Sequence, residues 1–299
     1  MLRVATRGSA LALWQAERIV ALVQAAQPGL EAELVPVQTQ GDRRLDVPIY
    51  ELGGKGVFAK EVQAAVLDGR ADVAVHSAKD LPSVTPPGLV IAAVTERGDP
   101  RDALVGAGLD ALPEGATVAT GSLRRRAQLA HVRPDLKFEN LRGNMATRVA
   151  CVRDEGVDAA VVAGVALDRL GLGWHIAQRL DPDVMLPQVA QGALAVECRA
   201  DDDDIRGLLG LVEHQASRHA VDAERGFLAE LGGDCSLPAA AHATITGTTL
   251  RIRGLVATPD GAVVVRHELS GPPPAGPALG RQLARHLLDD QDGDKLLGR

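Results

Sequence analysis

The sequence predicts an α/β protein of two or three domains, with a smaller α+β unit towards its C-terminal end. Its 299 residues exceed what one ordinary hydrophobic core organises, so several domains are expected. Strand-like apolar stretches alternate with amphipathic helical stretches over most of the chain, which is typical of α/β units with a largely parallel sheet. After Gly232-Gly233 the pattern changes to three strands joined by turns, which predicts an antiparallel sheet.

The first unit is predicted from alternating strands and helices. A short apolar strand leads through Gly8-Ser9 into a long amphipathic helix, and later elements end at glycine or proline. In order, the expected elements are strand Leu2–Thr6, helix Ala10–Ala26, strand Ala32–Thr39, a loop over Gln40–Gly56, helix Val57–Leu67, strand Asp72–His76, a loop over Pro82–Gly88 and strand Leu89–Thr95.

A second unit is expected to begin after the turn residues 97–100, and a third follows it. The expected elements are strand Thr117–Thr120 and the helix after it, helix Asn144–Glu155, strands Asp158–Ala163 and Ala193–Glu197, a helical stretch over Asp202–Leu231, strands Ala239–Ile245, Leu250–Thr258 and Val263–Leu269, and helix Ala278–Asp289. The last three strands and the last helix form the predicted α+β unit.

The composition is that of an ordinary globular protein, with 46% hydrophobic and 24% charged residues, so disorder is not expected. No apolar run reaches the about 18 residues that span a bilayer, and the first residues lack the apolar segment of a secretory signal. The three cysteines, Cys151, Cys198 and Cys235, are widely spaced. We therefore expect a cytoplasmic protein with reduced thiols, no membrane contact and no bound metal.

Positive charge is concentrated in one segment. The whole chain carries −7, but residues 120–153 contain eight basic and two acidic residues. This contrast predicts a local anion site. A nucleic-acid interface is the weaker interpretation, because the chain is acidic overall and contains only six aromatic residues for base stacking.

The segment after strand Thr117–Thr120 has the features of an anion site. Gly121 permits a tight turn, and the hydroxyls of Thr120 and Ser122 stand where the next helix begins. Free N–H groups at a helix N-terminus favour an anion, and arginine makes paired hydrogen bonds to carboxylates. Arg124 and Arg125 follow in the first turn. The alternative is a capped helix with a solvated basic face.

A second basic cluster precedes the helix Asn144–Glu155. Asn144 can cap this helix, which places Arg142 just before it and Arg148 about one turn inside. Helices of neighbouring α/β units begin at the same crevice. The two clusters together predict a ligand that carries several carboxylates.

Three further segments offer reactive groups in turns and loops. Lys79 and Asp80 follow the strand Asp72–His76, where a carboxylate can stay ionised beside a cation; an ordinary strand-end turn is the alternative. The glycine-rich stretch Gly53–Lys60 lacks the spacing of a nucleotide-binding P-loop and is compatible with a mobile lid that carries a lysine. Cys235 lies on a glycine loop at a domain junction, which makes it a candidate for covalent chemistry.

Taken together, these segments resemble the porphobilinogen deaminase (hydroxymethylbilane synthase) family. They occur in the family's order and span nearly the whole chain. The matching stretches are Thr6–Ala16, Gly53–Lys60, Ala74–Pro82, Thr120–Arg125, Leu141–Arg148, Leu186–Arg199 and Gly233–Pro238.

The resemblance implies two domains similar to type II periplasmic binding proteins on either side of a ligand cleft, plus a small C-terminal α+β domain with an antiparallel sheet. It implies domain 1 at 1–97 and 192–212, domain 2 at 98–191 and domain 3 at 213–299. The strand near Ala193–Glu197 would thus return to domain 1. It also implies a dipyrromethane cofactor attached through a thioether to Cys235.

The activity implied by the resemblance is the stepwise condensation of four porphobilinogen molecules, with loss of ammonia, and release of hydroxymethylbilane by a monomeric enzyme. Asp80 would stabilise the developing positive charge near the pyrrole N–H groups and assist proton transfer. The implied cofactor contacts are Ser77, Lys79, Asp80, Thr120, Ser122, Arg124, Arg125 and Arg148. The implied substrate contacts are Arg7, Ser9, Lys55, Phe58, Arg142, Arg169 and Gln191.

Two positions depart from the family's pattern. Gly121 stands where a second serine is common, and Asp234 stands where glycine is frequent before the cysteine. Both departures concern local loop geometry. The main alternative function is a non-catalytic module that binds a small polycarboxylate in the same cleft, without using the thiol.

Overall fold

The computed structural model describes residues 1–43, 56–154, 156–232, 237–290 and 293–297. Within these ranges the strands form three sheets, two of five strands and one of three. The two larger sheets are mixed, whereas the smallest is antiparallel. This architecture confirms the predicted fold class of two α/β domains and a small C-terminal α+β domain.

The first sheet is built around the N-terminal strand, and its strand order is β2-β1-β3-β10-β4. Its strands are β1 (Leu2–Arg7), β2 (Ala32–Val37), β3 (Val73–Ser77), β4 (Leu89–Val94) and β10 (Leu194–Arg199), and the helices around it are α1 (Ala10–Ala26), α2 (Gln40–Arg43), α3 (Lys60–Leu67) and α7 (Asp203–Gly210). Val4, Ile19 and Val73 are fully buried between the sheet and α1. Burial of such side chains stabilises the domain by about 1.5–3 kcal/mol each.

The second sheet has the strand order β7-β6-β8-β5-β9. Its strands are β5 (Asp102–Gly106), β6 (Thr117–Ala119), β7 (Lys137–Glu139), β8 (Ala159–Ala163) and β9 (Ile176–Arg179), and its helices are α4 (Leu123–Val132), α5 (Met145–Asp154) and α6 (Gly164–Arg169). Every residue of β8 is buried, as expected for a central strand covered on both faces.

The two large sheets share one topology. In each, three parallel strands are followed by one antiparallel strand and then by an outer strand. The antiparallel strand of the second sheet, β5, comes directly after the chain leaves the first sheet, and β10 is formed when the chain returns. The implied return of the strand near Ala193–Glu197 is therefore confirmed. The two connecting segments touch, since Gly98 N donates to the Gly192 carbonyl at 3.1 Å.

The third sheet packs on two helices. It consists of β11 (Ala239–Thr246), β12 (Thr249–Ala257) and β13 (Val264–Gly271), and it follows α8 (Gln215–Glu230) and precedes α9 (Gly276–Arg285), a π-helical turn (His286–Asp290) and α10 (Gly293–Leu296). Phe227, Ile252 and Leu283 are fully buried in a cluster that also contains Ala78 and Leu81 of the first unit. The third unit is thus anchored beside the end of β3.

Among the described helices, none combines the length and the apolar character needed to cross a bilayer.

The prediction from sequence missed several short elements. Strands β5, β7 and β9 and helix α6 have six residues or fewer, which is too short for a clear periodicity. Helix α2 lies where a loop was expected. The helical stretch Asp202–Leu231 is two helices, because His214 caps a new one by accepting from Ser217 N at 3.3 Å.

Candidate active site

The turn after β6 presents hydroxyl and amide groups at the start of α4. Ser122 is the N-cap, and its Oγ accepts from Arg125 N at 3.4 Å. Ser122 N in turn donates to Thr120 Oγ1 at 3.3 Å. The turn lines a cavity of about 90 Å³, and the N-terminus of a helix favours an anion there.

Gly121 approaches the neighbouring backbone too closely for a side chain. A Cβ at this position would lie 2.7 Å from the carbonyl oxygen of Leu141. Contacts below about 3.0 Å require the backbone to move. Serine is common at this position in the family. Glycine stands here because the β6–α4 turn lies too close to the segment before α5 to leave room for a side chain.

The first turn of α4 carries two buried arginines that meet one buried carboxylate. Arg124 and Arg125 are 2% and 6% exposed, and Asp102 at the start of β5 is 0% exposed. Arg124 Nη2 lies 2.8 Å from Asp102 Oδ2, and Arg125 Nη2 lies 2.7 Å from Asp102 Oδ1. Burial alone would raise the pKa of Asp102, but the two guanidinium groups outweigh it and hold that pKa well below its usual range. The alternative of a solvated basic face is thus wrong for these two arginines.

A glutamine connects this buried cluster to the first unit. Gln191, which is 0% exposed, donates from Nε2 to Asp102 Oδ1 at 2.9 Å and to the Pro100 carbonyl at 2.7 Å. Its Oε1 accepts from Lys79 Nζ at 3.1 Å. Burial, together with the charge of Arg125, lowers the pKa of Lys79 to about 8. Gln191 therefore links Lys79 to the carboxylate that the two arginines share.

The end of β3 holds the candidate catalytic carboxylate. Residues Ala78–Asp80 form one short 3₁₀ turn, and Asp80 is half-buried. The preceding Ser77 is held in place because Gln15, in α1, donates from Nε2 to Ser77 Oγ at 2.8 Å. Sequence reasoning did not single out Gln15. One signal in the sequence could have indicated it, because a polar glutamine stands on the otherwise apolar face of the first helix. In the structure Gln15 is 3% exposed.

Arg148 lies where the two α/β units meet. Its pKa is lowered to about 10, first by burial and then by the charges of Arg125 and Arg142. Asp80 opposes this shift, and Arg7 adds to it. Asp80 and Arg7 belong to the first unit, whereas the other three residues belong to the second. Charged groups from both units, all of them predicted site residues, therefore act on Arg148.

The start of α5 has the predicted cap. Asn144 Oδ1 accepts from Thr147 N at 3.0 Å, and Arg148 donates from Nε to the Gly143 carbonyl at 2.9 Å. Gly143 has a φ of +93°, a conformation in which glycine is strongly favoured. The cap and the glycine together orient Arg148, one turn inside the helix, and Arg142, just before it.

At the end of β1, Arg7 is packed on an aromatic ring. The guanidinium carbon of Arg7 lies 4.3 Å from the centroid of the Phe58 ring, and Arg7 also forms an ion pair with Asp42. A Cβ at Gly41 would overlap the same ring, so glycine makes room for Phe58. Ser9 caps α1 by accepting from Ala12 N at 3.3 Å.

Arg169, at the end of α6, joins the second unit to the first. It donates from Nη2 to the Gly192 carbonyl at 2.7 Å, and its guanidinium carbon lies 5.5 Å from the Trp14 ring centroid. Burial lowers the pKa of Arg169 to about 10. Arg169 thus contacts both α1 and the connection that returns the chain to the first sheet.

Two predicted site residues, Lys55 and Cys235, lie outside the described residues. The other two cysteines are buried. Burial raises the pKa of the Cys198 thiol to about 11, which disfavours a reactive thiolate. Cys151 Sγ donates to the Arg148 carbonyl at 3.1 Å. Both buried thiols are packing residues.

The groups that meet between the sheets suit a ligand with several carboxylates. They are guanidinium, ammonium and hydroxyl groups around one half-buried carboxylate, and arginine forms paired hydrogen bonds with carboxylates. A dipyrromethane bears such acidic side chains, so the residues present fit this cofactor. In the described ranges, no group of three or more His, Cys, Asp or Glu side chains is arranged to hold a metal ion.

Comparison with known proteins matches nearly the whole chain. The family model described as porphobilinogen deaminase, dipyrromethane cofactor binding domain, matches residues 2–207, and the C-terminal domain model of the same family matches residues 219–289. The porphobilinogen deaminase of Syntrophotalea carbinolica is 48% identical over 96% of this chain and 92% of the relative. That of Pelobacter propionicus is 46% identical over 96% of this chain and 93% of the relative.

Among solved structures, the second substrate binding domain of a putative amino acid ABC transporter from Streptococcus pneumoniae aligns with 77% of this chain and 94% of that chain, at 12% identity and a TM-score of 0.44. The curated relatives carry an enzyme's name, which argues against the non-catalytic binding module. The chain belongs to the porphobilinogen deaminase family, whose members condense porphobilinogen stepwise on a dipyrromethane cofactor to form a linear tetrapyrrole.

Proposed function

We propose that the space between the two large sheets holds the growing pyrrole chain, with Asp80 as its catalytic carboxylate. The position of Arg148 is the observation that carries this proposal. It is influenced at once by Asp80 and Arg7 of the first unit and by Arg125 and Arg142 of the second. Groups from both units therefore act on one location.

Asp80 is suited to charge stabilisation. Its half-buried carboxylate acts on two cations, Lys79 and Arg148. When porphobilinogen loses ammonia, positive charge develops on the pyrrole, and a fixed carboxylate beside the ring N–H groups stabilises it. Asp80 also accepts a proton and thereby assists its transfer when the new carbon–carbon bond forms.

The surrounding cations bind the acidic side chains of the pyrroles and orient them. When bound, the dipyrromethane supplies the free α-carbon that attacks the incoming pyrrole. The proposed cofactor contacts are Ser77, Lys79, Asp80, Thr120, Ser122, Arg124, Arg125 and Arg148. The proposed substrate contacts are Arg7, Ser9, Lys55, Phe58, Arg142, Arg169 and Gln191.

Cys235 is proposed to carry the cofactor through a thioether. The described residues on either side of its loop, Leu231 and Leu237, belong to the same apolar cluster as Ala78 and Leu81. Those two residues flank the turn with Asp80. The described residues that precede and follow the Cys235 segment thus share a cluster with the turn that carries Asp80, which supports attachment of the cofactor at this cysteine.

The domain boundaries and the assembly are part of the same proposal. Domain 1 comprises 1–97 and 192–212, domain 2 comprises 98–191, and domain 3 comprises 213–299. We propose a cytoplasmic monomer, a location supported by Cys151 and Cys198, which are buried and form no disulfide among the described residues. Binding of nucleic acid is disfavoured, because Arg124 and Arg125 of the basic segment are buried. Steep salt-dependent affinity for DNA or RNA would contradict this.

The proposed roles are tested by intact mass and turnover. The wild-type mass should exceed the sequence mass by one dipyrromethane unit, and Cys235→Ser should give the sequence mass alone. Asp80→Asn should retain the added mass but lose about 10²–10⁴-fold in turnover. Asp110→Asn is the control, because Asp110 is an exposed carboxylate on a similar short turn. Near-normal hydroxymethylbilane formation by Asp80→Asn would remove Asp80 from the catalytic role.

A further inference from the structure

Asp102 is a buried carboxylate that none of the roles above includes. It is the first residue of β5, the strand that enters the second sheet directly after the chain leaves the first. Its side chain is 0% exposed and accepts hydrogen bonds from Arg125 Nε at 3.0 Å and from Gln191 Nε2 at 2.9 Å. Arg124 contacts its other oxygen at 2.8 Å. It therefore touches both arginines that open α4 and the glutamine that holds Lys79.

Asp102 lies among several cations. One carboxylate faces two guanidinium groups directly and one ammonium group through Gln191. A buried ion that loses its partner is strongly destabilising, because no water replaces the lost interaction. Asp102 holds Arg124 and Arg125 folded inwards together with the carbonyls of Leu186 and Val161, which accept hydrogen bonds from them. An acidic ligand at this place would meet the same guanidinium groups.

We propose that Asp102 is a positioning residue, an internal counter-ion that holds Arg124, Arg125 and Lys79 in the geometry that receives the carboxylates of the cofactor. This inference rests on the proposed function, since it requires that those cations bind the cofactor. Asp102 and the cofactor carboxylates then stabilise the same cations. Each therefore reduces the penalty of losing the other.

The sharing of cations makes the effect of Asp102 depend on cofactor loading. Without cofactor, Asp102→Asn removes the carboxylate that Arg124 and Arg125 contact. With cofactor attached, the ligand carboxylates supply the missing negative charge. A residue with a merely structural role would destabilise the loaded and unloaded proteins equally.

The test is a four-protein cycle of wild type, Cys235→Ser, Asp102→Asn and the double variant, with urea unfolding as the measurement. The fall in the unfolding midpoint caused by Asp102→Asn should be about twofold larger, or more, in the Cys235→Ser background. A double variant that fails to fold, where both single variants fold, is the extreme of this result. Equal falls in both backgrounds would overturn the inference.

Asp99→Asn is the matched control. Asp99 lies three residues earlier and pairs with Arg101 and Arg179 at the same domain junction. It has no direct contact with Arg124 or Arg125 among the described residues. Asp99→Asn should therefore lower the midpoint equally in the two backgrounds. A background-dependent effect of Asp99→Asn would show that the coupling is not specific to Asp102, which would also overturn the inference.

A pH profile of the loaded enzyme gives an independent measurement. The ammonium of Lys79 faces Arg124 and Arg125 of α4, Asp80 of its own turn and Asp102 of β5. Loss of the Asp102 charge removes one of the two groups that favour protonated Lys79. The alkaline fall in kcat/KM should therefore move to lower pH in Asp102→Asn but not in Asp99→Asn. An unchanged profile in Asp102→Asn would count against the inference.

Failure of the proposed function gives a different result. If Cys235→Ser still carries the pyrrole mass, the attachment at Cys235 is wrong whatever the unfolding cycle shows. In that case the pH profile of Asp102→Asn, which does not depend on the Cys235 variant, is the test of the inference.

Discussion

The two large sheets have one topology but contribute different chemistry. After the first parallel strand, each has a glycine followed by a serine that caps the next helix: Gly8-Ser9 before α1 and Gly121-Ser122 before α4. The third strand, however, ends differently. In the first sheet β3 leads to Lys79 and Asp80, whereas in the second sheet β8 runs into the apolar start of α6. The only catalytic carboxylate proposed here comes from the first sheet, and the buried guanidinium groups come from the second.

This difference shows that a shared framework provides positions and that individual side chains provide function. Helix N-termini at the ends of parallel strands attract anions in either sheet. Arginines in the first turn of α4 increase that attraction on one side only. The carboxylate proposed to stabilise the cationic intermediate, Asp80, follows β3 of the first sheet, so the proposed charge stabilisation and ligand binding do not compete for one residue.

The largest expected contrast is between two ion pairs, Arg125–Asp102 in the second unit and Arg7–Asp42 in the first. Arg125→Leu leaves the fully buried Asp102 undercompensated, and we expect a loss of about 3 kcal/mol or more in the free energy of unfolding. Arg7→Leu breaks a half-buried pair with Asp42, and we expect a loss of about 1 kcal/mol. Urea unfolding measures both values. Similar losses in the two variants would show that the deeper burial of the Arg125–Asp102 pair does not make it more important for stability than the Arg7–Asp42 pair.

A second contrast concerns the two glycines before the helix caps. A Cβ at Gly121 would lie 2.7 Å from the Leu141 carbonyl oxygen, whereas a Cβ at Gly8 would meet nothing within 4 Å. Gly121→Ala should therefore lower the free energy of unfolding by about 1–3 kcal/mol, because the neighbouring backbone must shift. Gly8→Ala should change it by less than about 0.5 kcal/mol. Equal tolerance of both substitutions would contradict the close approach at Gly121.

The sequence was sufficient for elements with a strong local pattern. Helix α1 was predicted at Ala10–Ala26, the bounds that the structure has, because its cap and its apolar face agree. The antiparallel C-terminal sheet was predicted from its turns. The roles of the site residues came from resemblance to a family, and the structure shows only where their side chains lie.

What sequence reasoning missed depends on contacts between distant segments. Asp102 opens a short strand, and its charge becomes significant only when α4 places two arginines against it, more than 20 residues later. The resemblance implies that Gln191 contacts the substrate. In the structure its side chain links Lys79 with Asp102, across the two chain segments that connect the sheets. Periodicity and motif spacing contain no information on such contacts.

The smallest expected effect tests whether the two sheets act as one site. Lys79 belongs to the first sheet, but burial and Arg125 of the second unit lower its pKa to about 8. Below that pH the ammonium is present and binds carboxylates, and as the pH rises through 8 the proton is lost. We therefore expect kcat/KM for porphobilinogen to decline above pH 8, towards about tenfold per pH unit.

Lys79→Arg separates this titration from that of the substrate. A guanidinium stays protonated over the whole range, so the alkaline decline should disappear in this variant, even if its kcat/KM at pH 7 is lower. Only the shape of the two profiles is compared, and the ionisation of porphobilinogen itself cancels because it is common to both. Parallel declines in the two proteins would show that Lys79 does not titrate in this range, and that Arg125 of the second sheet does not act on the ammonium group of the first.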